Sequence, residues 1–503
     1  MKQYDVIVIG TGAGNIILDY ALEKGLKAAQ IEKGKFGGTC LNKGCIPTKV
    51  MVTAADMIRQ ARNAEEIGVD IGSAKINWDK LKNRVWKKID GNQYIHDVYT
   101  NMRGLDVYKG EAYFTAPKTL KVRYADGSRS EEITADKIFI AAGAETNVPE
   151  IEGLEQTGYL TSEKLFGNMF PEKPFEELII LGGGPIGCEF AHFFSAADTK
   201  VKIVQRNVRL LPKEDYDISM ELQKAMQDFG VEMHFGVNTV KVQYKDGKKI
   251  VTLSEKETGK TYEISGDEIL VAPGVRAATK ALNLEVTDIK TDAKGNIITN
   301  EFLETTEENV WAIGDVNGNR NFRHVANHEA DVVSHNLFFA DGPADYRWVD
   351  YDLTPAVTYT YPQVAHVGLN KEEAERRGYD VAVGMHYFYE TAKGYALGFS
   401  PRSSLKPFIK VIAEKKTGKL LGAHIIGPEA SVLIQPFINL MSAGENVIKP
   451  VNPEVGSELT KKLRAEKLTR YLDPHYASTI KETMIPHPSL QEATIWTQYY
   501  LKY

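Results

Sequence analysis

Residues 4–15 read YDVIVIGTGAGN, a short β-branched run that ends on Gly10-Thr11-Gly12-Ala13-Gly14-Asn15. A continuous apolar run closed by glycines predicts a strand buried on both faces. The apolar segment after the turn, ending near Lys24-Gly25, predicts a helix, and Lys27 to Ile31 predicts a second strand that closes on Glu32. Strand, glycine turn, helix, strand and acid, in that order, form a dinucleotide-binding unit. Gly10 and Gly12 let the backbone approach a pyrophosphate, the helix start faces it, and Glu32 is placed to accept ribose hydroxyls.

The same order recurs. Glu177 to Leu181 reads as a strand, Gly182-Gly183-Gly184-Pro185-Ile186-Gly187 as the turn, Cys188 to Ala197 as the helix and Lys200 to Val204 as the second strand. One glycine turn of this kind is weak evidence, because ordinary turns use the same residues; two copies in matching context encode two nucleotide sites, the second around Gly182, Gly184, Ile186 and Gly187. Further along, Ile313-Gly314-Asp315 ends a strand on an acid that can accept hydrogen bonds from polyol hydroxyls. From about Tyr346 the pattern changes to hairpin-like strands over Val357 to Thr360, Phe408 to Ala413 and Leu420 to Ile426, followed by helices. The expected fold class is α/β, with two Rossmann-like dinucleotide-binding domains and a C-terminal α+β dimerisation domain. The boundaries expected are 1–155 with 283–345 for the first nucleotide domain, 156–282 for the second and 346–503 for the third. Residues 449–481, polar and rich in Lys and Glu with Pro450 and Pro453 at their start, read as an insertion.

At 503 residues, and with about 150 residues per domain as a prior, three domains fit the length. A net charge of -6 and a pI near 6.1 leave no basic stripe for nucleic acid or an anionic membrane. The longest apolar stretches fall short of the roughly 20 residues that span a bilayer. Met1 runs almost directly into the first strand, leaving no room for a secretory peptide, so the expected location is the cytoplasm.

Three cysteines in a chain of this length exclude a structural disulfide framework. The pair Cys40 and Cys45, in GGTCLNKGCIPTK (37–49), follows the Glu32 strand by a few residues and therefore belongs beside the first nucleotide unit. Four residues between the sulfurs suit a short helical loop with an easily reduced disulfide. A zinc site needs four ligands, and no second Cys pair or His cluster stands at useful spacing, so no metal is expected.

That stretch, the two glycine turns, Glu189, Ile313-Gly314-Asp315 and His487-Pro488-Ser489-Leu490-Gln491-Glu492 resemble the flavoprotein disulfide reductases of the glutathione reductase and dihydrolipoyl dehydrogenase type. The resemblance covers nearly the whole chain. GTGAGN (10–15), Glu189-Phe190-Ala191-His192 and His324-Val325-Ala326-Asn327-His328-Glu329-Ala330 are most similar to the mycothione reductase branch, including Asn15 in place of the usual third glycine. The resemblance implies FAD at the first unit and NADPH or NADH at the second. It implies that Cys45 is the flavin-side thiol, Cys40 the interchange thiol that attacks substrate, and Lys49 with Glu189 an ion pair beside the flavin. His324-Val325 is implied to be a helix start whose positive end faces the flavin. Ala13, Gly14, Gly38, Thr39, Ala112, Gly143, Gly314 and Asp315 are the further FAD-side contacts implied, and Gly274 a further cofactor contact. His487, oriented by Glu492, is implied to be the acid–base partner of the sulfurs, supplied by the other subunit of a homodimer. Ser489 to Glu492 also reads as a helix capping box.

The second unit carries Gln205-Arg206, with Arg209 nearby, where an NAD enzyme places a carboxylate. Loss of the acid and gain of guanidinium groups favour NADPH. The tail 498–503 lacks cysteine, unlike mercuric or high-molecular-weight thioredoxin reductases. A low-molecular-weight disulfide is the expected substrate, with the lipoyl group as the alternative. An NADH oxidase or peroxidase would work with a single cysteine, and a non-catalytic scaffold subunit would not require Cys40, Cys45, His487 and Glu492 together.

Overall fold

The computed structural model describes residues 1–497; the tail cited above lies outside them. The Lys2–Ile9 strand sits inside a sheet ordered Leu105–Tyr108, Ala28–Ile31, Lys2–Ile9, Ile133–Ile140, Thr119–Arg123 and Glu111–Ala116, and Val310–Ala312 joins it beside Ile133–Ile140. Its first four strands and Val310–Ala312 pair in parallel, and the Glu111–Ala116 hairpin closes the edge antiparallel. Val6, Ile7 and Val8 are fully buried, as a strand covered on both faces requires. Gly10 has φ +101°, and a Cβ there would stand 2.3 Å from the Ala141 carbonyl oxygen, so only glycine fits. Gly14, not residue 15, makes the close helix-to-strand contact, with a Cβ position 2.7 Å from Val8. Asn15 is therefore free to accept a 2.7 Å hydrogen bond from buried Gln30 on the neighbouring strand.

The second unit orders its parallel strands Glu232–Phe235, Lys200–Gln205, Glu177–Leu181 and Glu268–Val271, flanked by a three-stranded antiparallel sheet over 237–266. Its helix runs Pro185–Ala196, three residues earlier than the sequence reading. Proline is suited to a first helical turn, where its missing N–H is not needed. Phe190, Phe193 and Phe194 bury this helix, and Cys45–Arg62 packs across it. Arg59 donates to Ser195 Oγ at 2.6 Å, tying the two nucleotide units together.

The third region is a five-stranded antiparallel sheet, Ala356–Thr358, Gln363–Gly368, Leu420–Gly427, Phe408–Glu414 and Val381–Tyr387 in spatial order. Its helices Ala430–Leu433 and Gln435–Ser442 bury Ile434 and Ile438 against it. The strands expected there agree to within two residues. No helix among the described residues is long and apolar enough to cross a membrane.

The expected insertion is ordered structure. Gly444–Val447 pairs antiparallel with Thr469–Leu472, and the helix Glu458–Ala465, capped by Ser457, lies between them. The segment packs on residues 299–304 of the first unit. Arg464 makes a fork to Glu301 at 2.6 and 3.1 Å, with the Glu301 side chain fully buried. Asn452 donates to the Thr299 carbonyl at 2.7 Å and Thr460 to Glu304 at 2.7 Å. Phe302, Trp348, Ile448 and Leu463 form the apolar patch beneath. Several of the polar and charged residues of this stretch are thus partners in an internal contact. Removing the Glu301 carboxylate strands a buried guanidinium, at a cost of about 3 to 5 kcal/mol. Glu301→Ala should open the 444–483 segment to limited proteolysis while the sheet strands keep their slow hydrogen exchange.

Candidate active site

The sulfurs sit on a loop built by glycine. Gly37 is left-handed at φ +102° and caps the helix Gly38–Asn42; after Gly44 the helix Cys45–Arg62 begins. A Cβ on Gly38 would stand 2.8 Å from Gly12 Cα, so the loop lies directly on the first glycine turn. Asn42 closes it with bonds to the Phe36 and Gly38 carbonyls at 2.9 and 3.0 Å. Glu32 holds the turn in place, accepting from Thr11 N and Oγ1 at 3.0 and 2.7 Å and from Gly34 N at 2.6 Å. Thr11 Oγ1 in turn accepts from Gly37 N at 3.0 Å. Cys40 is buried, Cys45 half-buried, and both are free thiols here.

His487 Nε2 lies 3.1 Å from Cys40 Sγ, and its Nδ1 lies 2.8 Å from Glu492 Oε2. The donor atoms of Cys40, Cys45 and His487 are all within 4.8 Å of one another. Glu492 does two jobs at once, since its other oxygen accepts from Ser489 N at 2.8 Å. The capping interaction and the orientation of His487 therefore coexist. The sequence reading expected His487 and Glu492 from the partner subunit of a homodimer; within one chain, residues 444–483 run from Ser442 back across the first unit, Met484 enters its core, and His487 and Glu492 lie beside Cys40.

One negative charge is shared by this cluster. The bond from Cys40 holds the Cys45 thiol down at about 5, against the opposing effect of burial and with help from His487 and Lys49. The same bond, together with burial, keeps Cys40 protonated well above the ordinary thiol value. Burial works against charge on His487, but the bonds to Cys45 and Glu492 outweigh it and raise the imidazole to about 9. The resting dithiol is thus a Cys45 thiolate beside a His487 imidazolium. Burial lowers His324 to about 4; this neutral ring donates from Nε2 to the Pro355 carbonyl at 2.9 Å and accepts from His487 N at Nδ1, at 3.4 Å.

Lys49 Nζ is 2.6 Å from Glu189 Oε2, joining the helices Cys45–Arg62 and Pro185–Ala196. Reading Lys49 as a surface residue is ruled out, because both side chains are mostly buried. Tyr359, which the sequence reading missed, ties this pair to the histidine. Its N–H donates to Glu189 Oε1 at 2.9 Å, Lys49 Nζ lies 4.0 Å from its ring centre, and its hydroxyl donates to the Pro488 carbonyl at 2.5 Å. Aromatics in an apolar strand carry no signal that separates core from site. Glu329 was quoted only as part of a motif; it accepts from Asn317, from Tyr351 and from the Gly314 N–H, fixing the Gly314-Asp315 turn on the helix Arg323–Ser334. Burial and the nearby Cys45 charge push Asp315 up to about 6.

The cradles fit the expected cofactors. A Cβ on Gly12 would meet only the Arg323 guanidinium, 3.6 Å away, at the positive start of the helix that continues with His324 and Val325. This donor set suits an anionic dinucleotide, and Ala13, Thr39 and Gly143 border the same turn region by their place in the chain. Ala112 is buried in the hairpin strand Glu111–Ala116. At the second unit, Cβ atoms on Gly184 and Gly274 would meet nothing within 4 Å, and Ile186 is exposed. A Cβ on Gly187 would stand 1.9 Å from the Gly182 carbonyl oxygen, so that glycine serves packing. Gln205 is buried and accepts from Gly183 N at 3.2 Å. Arg206 is exposed at the strand end, whereas Arg209 is engaged by the Pro212 and Glu214 carbonyls.

Comparison with known proteins agrees with this geometry. Residues 4–330 match the pyridine nucleotide-disulphide oxidoreductase family and residues 354–453 match its dimerisation domain, which supports a homodimer. The chain is 35% identical over 469 residues to mycothione reductase of Mycobacterium tuberculosis, covering 90% of this chain and 98% of the relative. It is 30% identical over 502 residues to dihydrolipoyl dehydrogenase of Bacillus subtilis, covering 98% and 96%. Among solved structures, a Cu(II) complex of the HOCl-induced flavoprotein disulfide reductase of Escherichia coli is similar at 25% identity and TM-score 0.75 over the whole of both chains. Two nucleotide units, a buried dithiol against the first of them and a family match over both halves lead to one conclusion: the chain belongs to the pyridine nucleotide-disulphide oxidoreductases, FAD-dependent enzymes that exchange electrons between NAD(P)H and sulfur groups.

Proposed function

We propose that this protein reduces a low-molecular-weight disulfide of the mycothiol type with NADPH, through Cys40 and Cys45, in the cytoplasm. The observation that carries the reading is the Cys40, His487 and Glu492 chain of contacts at 3.1 and 2.8 Å. It supplies a nucleophile, a proton carrier and an orienting carboxylate in the arrangement that nucleophilic catalysis requires. The 35% identity to a mycothione reductase supports the substrate class. The lipoyl group is the second reading, favoured by the 30% identity to a dihydrolipoyl dehydrogenase over nearly the full chain.

The Gly10–Gly14 turn, Glu32 and Asp315 would hold FAD, which when bound would supply a relay of two electrons from NADPH to sulfur. Reduction breaks the Cys40–Cys45 bond and leaves the thiolate on Cys45, where Lys49 and His487 face it. Cys40 passes its proton along its bond to the Cys45 thiolate, and the Cys40 sulfur attacks the substrate disulfide, forming a mixed disulfide. The His487 imidazolium gives its proton to the departing thiolate. His487, now neutral, takes the proton from Cys45, which attacks Cys40; the second thiol leaves with that proton, and the internal disulfide is restored. In sum, one NADPH, one proton and one disulfide yield NADP⁺ and two thiols. Glu492 and Tyr359 hold the histidine segment during both transfers, and Lys49 keeps Glu189 compensated.

A panel of small disulfides and lipoamide, each assayed with NADPH and NADH, tests the reading; turnover of none of them would overturn it. Cys40→Ser should still accept electrons from NADPH yet turn over no disulfide, and His487→Ala should slow disulfide turnover by about 10²–10⁴. The reduced protein should keep its ultraviolet thiolate absorption down to about pH 5, where Cys45 takes up a proton, and its His487 should stay protonated up to about pH 9. A thiolate midpoint near the ordinary value of about 8.5 would contradict that pairing. If Arg206 binds the 2′-phosphate, Arg206→Ala should lower kcat/KM for NADPH by about 10- to 100-fold, as expected for a hydrogen bond to a charged group, and leave NADH unchanged. Equal kcat/KM values for NADPH and NADH in the unaltered enzyme would refute the preference.

A further inference from the structure

The loop that carries Arg206 leaves the strand Lys200–Gln205 and rejoins the second unit at the helix Tyr216–Asp228. Its far end is buried against the third region. Glu214 and Asp215 are only 7% and 3% exposed, a depth at which a carboxylate needs a partner, and the antiparallel sheet supplies both partners. Glu214 Oε2 lies 2.7 Å from His366 Nδ1 on the strand Gln363–Gly368. Lys410, buried on the strand Phe408–Glu414, donates to Asp215 Oδ1 and Asp217 Oδ2 at 2.7 Å each. Burial works against charge on His366, but the Glu214 carboxylate outweighs it and raises the imidazole above its ordinary value. Burial likewise opposes charge on Asp215, and the bond from Lys410 outweighs it. Further along the same helix, Lys406 N donates to Glu221 Oε1 and Ser404 Oγ to Asp228 Oδ2, both at 2.5 Å.

Short bonds carry this anchor to the nucleotide end of the loop. Arg209 donates to the Glu214 carbonyl at 3.4 Å, Ser219 Oγ to the Leu211 carbonyl at 3.1 Å, and Leu210 N to Gln223 Oε1 at 2.9 Å. Leu211 N closes on the Gly183 carbonyl of the glycine turn at 2.9 Å. Leu211 itself stands at φ +43°, a left-handed conformation that a side chain with a Cβ keeps only where its surroundings impose it. Exposed Arg206 therefore sits on a loop held at two ends, by the glycine turn and by the third region.

We propose that the third region sets the shape of the loop 206–214, with His366 a positioning residue that acts through Glu214 on the binding of the nucleotide's 2′-phosphate by Arg206. This rests on the NADPH reading for its ligand and on nothing about the disulfide. A guanidinium already held in place binds phosphate without the cost of ordering its loop, and that cost returns when the anchor is cut. The Lys410–Asp215 pair fixes the base of the loop, so loss of the Glu214 contact frees the loop without unseating the helix behind it. The rest of the nucleotide meets the Gly182–Gly187 turn, which the anchor does not touch, and its binding stays as it was.

Calorimetric titration of the purified holoenzyme with adenosine 2′,5′-bisphosphate and with 5′-AMP tests this without any disulfide. His366→Leu should weaken binding of the bisphosphate by at least about 5-fold, the low end of coupling between two sites, and leave 5′-AMP unchanged. His366→Asn, whose amide nitrogen can stand where Nδ1 does, should restore most of that loss. In turnover the same loss should fall on KM for NADPH, with kcat kept. An unchanged bisphosphate affinity in His366→Leu, or an equal loss for both probes, would overturn the proposal. If the unaltered chain binds the two probes equally, the NADPH reading falls by itself, and hydrogen exchange at the Leu210 and Leu211 amides, with no nucleotide present, still judges the anchor. Faster exchange there in His366→Leu but not in His366→Asn supports it; exchange at the unaltered rate in both rejects it.

Discussion

A single buried negative charge, shared between two sulfurs and balanced by an imidazolium, is the interaction on which the rest of this structure depends. Burial alone would protonate both thiols and neutralise His487. The charge survives because three partners converge: the Cys40 thiol hydrogen-bonds the Cys45 thiolate, His487 faces both, and Lys49 stands behind with Glu189. Glu492 then fixes the far side of the ring, so that the proton on Nδ1 is committed and Nε2 is the working nitrogen. The asymmetry between the sulfurs suits the proposed cycle: the thiol held down is the one assigned there to electron exchange, and the thiol held up is the one assigned to attack on substrate.

Keeping such a charge out of water requires a rigid floor, and glycine provides it. Gly10 against Ala141, Gly38 against Gly12 and Gly187 against Gly182 are contacts at which a Cβ would collide with backbone. They press the sulfur loop onto the first nucleotide turn and pull the second helix onto its strand. The helices Cys45–Arg62 and Pro185–Ala196 then join the two units along one face, with the Lys49–Glu189 pair at the end nearer the sulfurs and Arg59–Ser195 further along. The site is therefore a junction of domains, and its geometry follows from their packing.

The acid–base half of the site reaches that junction from 447 residues away in sequence. It needs a long lever, and the lever is the 444–483 segment, held by a buried Arg464–Glu301 fork and an apolar patch. A buried ion pair of this kind adds little net stability over an apolar substitute, but it tolerates few other registers. Its value here is that it sets where Met484, and hence His487, must fall.

Local chemistry made much of this legible. Buried β-runs ending on glycine turns identified both nucleotide units, because the physical demand for φ > 0 and close backbone approach acts residue by residue. The CxxxxC spacing, the Lys49 and Glu189 pair and the His487–Glu492 pair could likewise be named from the chain, since each residue type suits its chemistry on its own. Non-local contacts could not. Tyr359 bridges Lys49 and Pro488 across three elements, Asn15 is excused by Gln30, and Arg209 is spent on loop carbonyls while Arg206 stays free. Residues 449–481 read only as a polar insertion because charge density in a sequence does not say which charges meet; only folding brings Arg464 to Glu301. The sequence by itself determined which groups are candidates for the chemistry. Tertiary structure decided which of the intervening charges and aromatics are internal partners, because that depends on the path of a segment whose anchoring partners lie far away along the polypeptide.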